Sequence, residues 1–80
     1  MKTVRVQYFA ALREQAGCRE ETLATTAATL AVLYAELQRS HGFTFPAERL
    51  SVALNDDFSG WSAPLADGAT VVFLPPFAGG

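Results

Sequence analysis

From Lys2 to Phe9, apolar and polar positions alternate: Val4, Val6 and Tyr8 fall on one face, Thr3, Arg5 and Gln7 on the other. A period of two, carried by β-branched and aromatic residues, predicts a half-buried strand. Ala10 to Ala16 is a run of good helix formers stopped by Gly17, which predicts a short helix. Arg19 to Thr25 reads as a weaker strand returning beside the first. Thr29 then stands as an N-cap before Leu30, Leu33, Tyr34 and Leu37, the i, i+3, i+4, i+7 stripe of an amphipathic helix. His41, at the end of the macrodipole that favours cations, and Gly42 close that helix.

Pro46 excludes regular structure from the connection between Phe43 and Arg49. Leu50, Val52 and Leu54 alternate with Ser51 and Ala53, a third strand that ends at Asn55. Asn55-Asp56-Asp57 reads as a turn; it lacks the later Glu that a calcium loop requires. Phe58 to Leu65, with Gly60, Trp61 and Pro64, reads as irregular. Asp67-Gly68 is a turn signal, and Ala69 to Leu74 is nearly continuously apolar, as expected of a central strand. One sheet on one main helix satisfies this order, with the first and last strands paired in the middle. The predicted class is α+β with a β-grasp (ubiquitin-like) architecture, a domain over 1–74 followed by an extended tail over 75–80. A ferredoxin-like split β-α-β needs two comparable helices, and the first helix here is too short.

The ending carries the candidate chemistry. Pro75-Pro76 lack amide donors and break the last strand, so the tail projects stiffly from the body. Phe77-Ala78-Gly79-Gly80 then ends in two residues without side chains, able to thread a channel too narrow for any Cβ. Extended, the tail reaches on the order of 20 Å. The expected working group is the carboxylate of Gly80, presented to another protein's active site. A carboxylate is a poor acyl donor until activated, for example as an acyl-adenylate made from ATP. A sulfur nucleophile then converts it to a thiocarboxylate. No catalytic constellation is needed on the carrier, and the sequence carries no Ser-His-Asp, Cys-His or paired-His pattern.

Composition narrows the partners. At 80 residues, with half of them apolar, there is room for one domain and one core. Six Lys and Arg against eight Asp and Glu give a net charge of −2 without a basic cluster, which disfavours nucleic acid and a polybasic membrane contact. No apolar run is long enough to span a bilayer, and the alternating N-terminus is unlike a signal peptide, so a cytoplasmic location is expected. Cys18 is the sole cysteine, follows Gly17 in a turn, and reads as a tolerated turn residue rather than a nucleophile. His41 has no second His or nearby Cys in sequence to form a metal site.

Val4-Arg5-Val6-Gln7-Tyr8-Phe9-Ala10-Ala11-Leu12-Arg13-Glu14 resembles the opening of the molybdopterin synthase small-subunit family. Leu65-Ala66-Asp67-Gly68, followed by Val71-Val72-Phe73-Leu74-Pro75-Pro76-Phe77-Ala78-Gly79-Gly80, resembles its ending, and Leu54-Asn55 its strand end before a turn. The resemblance implies a sulfur carrier with no cofactor of its own. An adenylating enzyme of the ubiquitin-activating type would use ATP to activate Gly80, and a sulfurtransferase system would supply sulfur. The tail would then insert into the large subunit of molybdopterin synthase and deliver sulfur to a cyclic pyranopterin, with the catalytic residues on that large subunit. Gly79 and Gly80 carry over directly, while Pro75, Pro76 and Phe77 would aim and anchor the tail.

Ala69-Thr70 replaces the acidic residues common in the family after the Asp-Gly turn, and the Asn55 turn lacks its glycine and glutamate. These departures leave the identity of the partners open. Phe9, Phe58, Trp61 and Phe77 are candidates for a docking patch beside the tail; alternatively Phe9 and Trp61 complete the core. The rival readings are a carrier for another pathway such as thiamine synthesis, a ubiquitin-like modifier joined to target lysines through Gly80, and an interaction module without covalent chemistry.

Overall fold

The computed structural model describes residues 1–76, and the part of the tail beyond Pro76 lies outside the described residues. Five strands form one mixed sheet in the order β2-β1-β5-β3-β4. They are β1 (Lys2–Tyr8), β2 (Glu20–Thr25), β3 (Ser51–Leu54), β4 (Asp57–Ser59) and β5 (Thr70–Leu74). Helix α1 (Ala10–Ala16) links β1 to β2, and α2 (Leu30–His41) is the main helix. This is the β-grasp, ubiquitin-like fold. The two central strands, β1 and β5, are parallel and pair from Arg5↔Thr70 to Tyr8↔Phe73. Every other pairing in the sheet is antiparallel.

The alternation read from the sequence sets the sheet's inner face. Val4, Val6, Tyr8, Val52, Val71 and Phe73 are all buried, and they meet Leu30, Leu33, Tyr34 and Leu37 of α2 in one cluster. Thr29 caps α2, its Oγ1 accepting from the Val32 amide at 3.3 Å. Gly42 ends the helix in the left-handed region at φ 72°, where a Cβ would be strained, and its amide donates to Gln38 O.

Two segments differ from the sequence reading. Asp57–Ser59 is a strand, not an irregular piece, and pairs with β3 from Leu54↔Asp57 to Val52↔Ser59. The loop between them is only Asn55-Asp56, both at positive φ (50° and 75°), the primed geometry that matches strand twist and that Asn and Asp tolerate. A three-residue strand ending in Ser59 and Gly60 shows too little periodicity to be seen alone. The second difference is a 3₁₀ turn over Ala47–Arg49, immediately after Pro46. Proline is compatible with the residue before a helical turn, so it starts structure there rather than preventing it. In consequence Leu50 is buried but precedes β3 rather than belonging to it.

Two loops are pinned to the central strands. The Asp67 carboxylate accepts from the Thr3 amide at 2.7 Å, and the Gly68 amide donates to Thr3 O at 2.8 Å. Asn55 accepts from the Thr70 amide through Oδ1 at 2.9 Å and donates its own amide to Thr70 O.

Candidate functional site: the root of the C-terminal tail

β5 lies between β1 and β3, so the chain leaves the sheet from its middle. The pairing of Tyr8 with Phe73 brings Phe9 level with Leu74, directly before Pro75. Pro75 is half-buried and Pro76 exposed. Phe9 is 40% exposed beside this point. Phe77, Gly79 and Gly80, the remaining candidates, lie outside the described residues.

Phe9 is the N-cap of α1, and Ala10 after it has φ 50°. A left-handed alanine costs about 1–2 kcal/mol, and the tight β1–α1 corner imposes it. The corner sets Arg13 over the Phe9 ring, with Cζ 5.6 Å from the centroid. Arg13 Nε also reaches Tyr8 O at 3.5 Å. Arg19 stands across from Tyr8, its carbonyl accepting the Tyr8 amide at 2.9 Å. Phe9, Arg13 and Arg19, with Gln7, Tyr8 and Glu20, line a recess of about 140 Å³ next to the tail root.

The sheet face away from α2 is open. Along it, register aligns Phe58, Ala53, Val72 and Gln7 in one row, with Leu74 and Ser51 in the next. Phe58 is 76% exposed there. Trp61 instead packs on the core, its ring stacked on Phe73 with centroids 5.8 Å apart and planes at 10°. Of the candidate docking aromatics that are described, Trp61 therefore packs on the core, while Phe9 and Phe58 are exposed among the described residues.

A cluster on the opposite face escaped the sequence reading. Glu21 Oε2 accepts from Tyr8 Oη at 2.5 Å and lies 2.7 Å from His41 Nε2. It ties β1 and β2 to the end of α2. The signal was present, since Glu21 is the polar residue opposite Val6, but only the sheet register reveals it. The cluster is a structural tie. Among the described residues no group of three His, Cys, Asp or Glu is arranged to hold a metal. Cys18 packs against the core, and burial, with a smaller contribution from the Glu21 charge, pushes its thiol pKa up. Its nucleophilic form is thus disfavoured.

Both buried phenols titrate above the usual tyrosine range. Burial is the main cause for each, and Tyr8 is raised further by its hydrogen bond to Glu21. Below about pH 10 folded and unfolded chains both keep these protons. Above it the unfolded chain releases them and the folded one does not, so stability falls as pH rises. The alkaline slope from Tyr8 is expected to approach about 1.4 kcal/mol per pH unit, with Tyr34 adding in the same direction. Urea midpoints measured between pH 8 and pH 11 check this, and Tyr8→Phe is expected to flatten the limb. A midpoint constant over that range would refute it.

The sequence matches the model of the ThiS family over residues 6–80. No curated protein matches it in sequence. Solved structures do. A protein from Pyrococcus furiosus described as subunit 1 of a molybdopterin converting factor is 26% identical, over 96% of this chain and 100% of that one, with a TM-score of 0.79. The chain is also similar to one in the complex of subunits 1 and 2 of the molybdopterin-converting factor from Helicobacter pylori. There the identity is 29%, the coverage 98% and 99%, and the TM-score 0.67. SAMP1 from Haloferax volcanii aligns at 23% identity over 98% and 99% with a TM-score of 0.81, a likeness of fold. With the family pattern running through the central strands to the terminal glycines, the chain belongs to the ThiS family of ubiquitin-like sulfur carriers.

Proposed function

We propose that this protein is the sulfur-donating small subunit of a molybdopterin synthase, acting in the cytoplasm. Its Gly80 carboxylate is adenylated by a ubiquitin-activating-type enzyme that consumes ATP, and is then converted to a thiocarboxylate. The observation that carries the reading is the tail root: the central strand ends at Leu74, level with Phe9, and Pro75-Pro76 follow it directly. β5 is paired on both sides, with β1 and with β3, up to the end of the strand, so the point from which the tail leaves is fixed. The likeness to a subunit of the Helicobacter pylori complex supports a large-subunit partner. Phe9, Phe58 and Val72 offer that partner apolar contact next to the tail. Pro75, Pro76 and Phe77 aim and anchor the tail, and Gly79 gives Gly80 passage through a narrow channel.

The deciding experiment is an intact mass after incubation with the adenylating enzyme, ATP and a sulfur source, with fragmentation to place the change. Exchange of oxygen for sulfur confined to Gly80 is expected. Oxidation of Met1 or Cys18 adds nearly the same mass, so the position of the change is what counts. An unmodified Gly80 beside an enzyme of proven activity would refute the carrier reading. Covalent linkage of Gly80 to lysines of other proteins would favour a modifier.

A further inference from the structure

The open face of the sheet holds a place where positive charge goes unanswered. Gln7 and Glu20, paired across β1 and β2, open with Tyr8, Phe9, Arg13 and Arg19 onto the recess of about 140 Å³. The one acid among these residues, Glu20, faces Arg5 at 3.9 Å. Arg13 and Arg19 make no ion pair among the described residues. Two uncompensated guanidinium groups therefore line one recess in a chain whose net charge is −2. Resting on the reading of this chain as the small subunit of a molybdopterin synthase, we propose that the recess receives a carboxylate side chain of the large subunit, held by Arg13 and Arg19.

Arg13 is set in place before any partner arrives. It is half-buried, lies over the Phe9 ring with Cζ 5.6 Å from the centroid, and reaches Tyr8 O through Nε at 3.5 Å. These contacts use one ring face and one N–H. A guanidinium has five N–H donors in a planar fork, so the two terminal nitrogens remain to grip a carboxylate. Arg19 is exposed, and its backbone is fixed where its carbonyl accepts the Tyr8 amide at 2.9 Å. The size of the recess selects the guest. Small-molecule pockets begin at about 300 Å³, so a recess less than half as large suits a single side chain rather than a nucleotide or a pterin. A phosphate, with its higher charge, is also opposed by Glu20 in the same recess. The position selects the partner: the recess lies at the end of the sheet where β5 gives way to Pro75, so a subunit that grips the chain there covers it. An ion pair left open to water is worth little, but covered by a partner beside the exposed Phe9 ring it is screened less and holds more strongly.

The test titrates the cognate large subunit with the full chain, native and as R13Q, R19Q and R39Q, at low and at high salt. Arg39 is exposed on the last turn of α2, which packs on the other face of the sheet, and it controls for the bare loss of a charge. R13Q and R19Q, with unchanged circular dichroism, are each expected to weaken binding about tenfold at low salt. Their affinities are also expected to depend less steeply on salt than that of the native chain. R39Q is expected to bind as the native chain does. Native affinity in both R13Q and R19Q would overturn the proposal, as would an equal loss in R39Q. Failure of the native chain itself to bind the large subunit would overturn the functional reading and this proposal with it, and the native titration alone reveals that outcome.

Discussion

Replacing Phe73 by alanine is expected to destabilise the protein by about 3–5 kcal/mol, the usual cost of deleting a fully buried aromatic ring. Phe73 has no exposed surface. Its ring stacks on Trp61 and stands 5.2 Å from Tyr34 and 6.5 Å from Tyr8. It therefore joins the central strand, the main helix and the long connection after β4 in one contact. At about 0.05–0.15 kcal/mol per residue, a chain this short has roughly 4–12 kcal/mol in total, so the variant is left near its folding threshold. Urea unfolding followed by circular dichroism and Trp61 fluorescence measures the loss. Phe58→Ala is the control: its ring is largely exposed, and its change should stay within about 0.5 kcal/mol. A Phe73→Ala loss no larger than that of the control would mean that the aromatic cluster does not hold the helix to the sheet.

Deleting Gly80 is expected to leave stability unchanged and to lower the rate of adenylation by at least about a hundredfold. Shortening the tail by one residue withdraws the carboxylate by about 3.5 Å, and a misplacement of even 1 Å at a reacting centre can cost about 10²-fold. The sheet and its core end before Pro75, which is why folding is spared. Single-turnover release of pyrophosphate by the adenylating enzyme, alongside a urea melt, separates the two effects. Undiminished adenylation of the shortened chain would show that the enzyme does not require the terminus where Gly80 sets it. A parallel fall in stability would show that the tail belongs to the fold.

The sequence alone was enough for the β-grasp because its strongest signals are also the elements that define the fold. Val4, Val6 and Tyr8 alternate, Leu30 to Leu37 repeat at helical spacing, and Val71 to Leu74 run apolar. Those periods report which face is buried, and burial is the main drive of folding. The expectation for the terminal motif rests on a different kind of signal. Two prolines and two glycines act through backbone geometry, which is local, so no tertiary information is needed to read it.

What only the tertiary structure decided depends on register between segments distant in sequence. Strand β4 is three residues long and owes its existence to pairing with β3 across a two-residue turn. Trp61 and Phe58 are both aromatic, yet one stacks on Phe73 in the core and the other stands in solvent on the open side of the sheet. The Tyr8–Glu21–His41 tie needs β1, β2 and the end of α2 together. The gathering of Phe9, Arg13 and Arg19 at the tail root, with Lys2 at the far end, comes from the parallel pairing of β1 with β5.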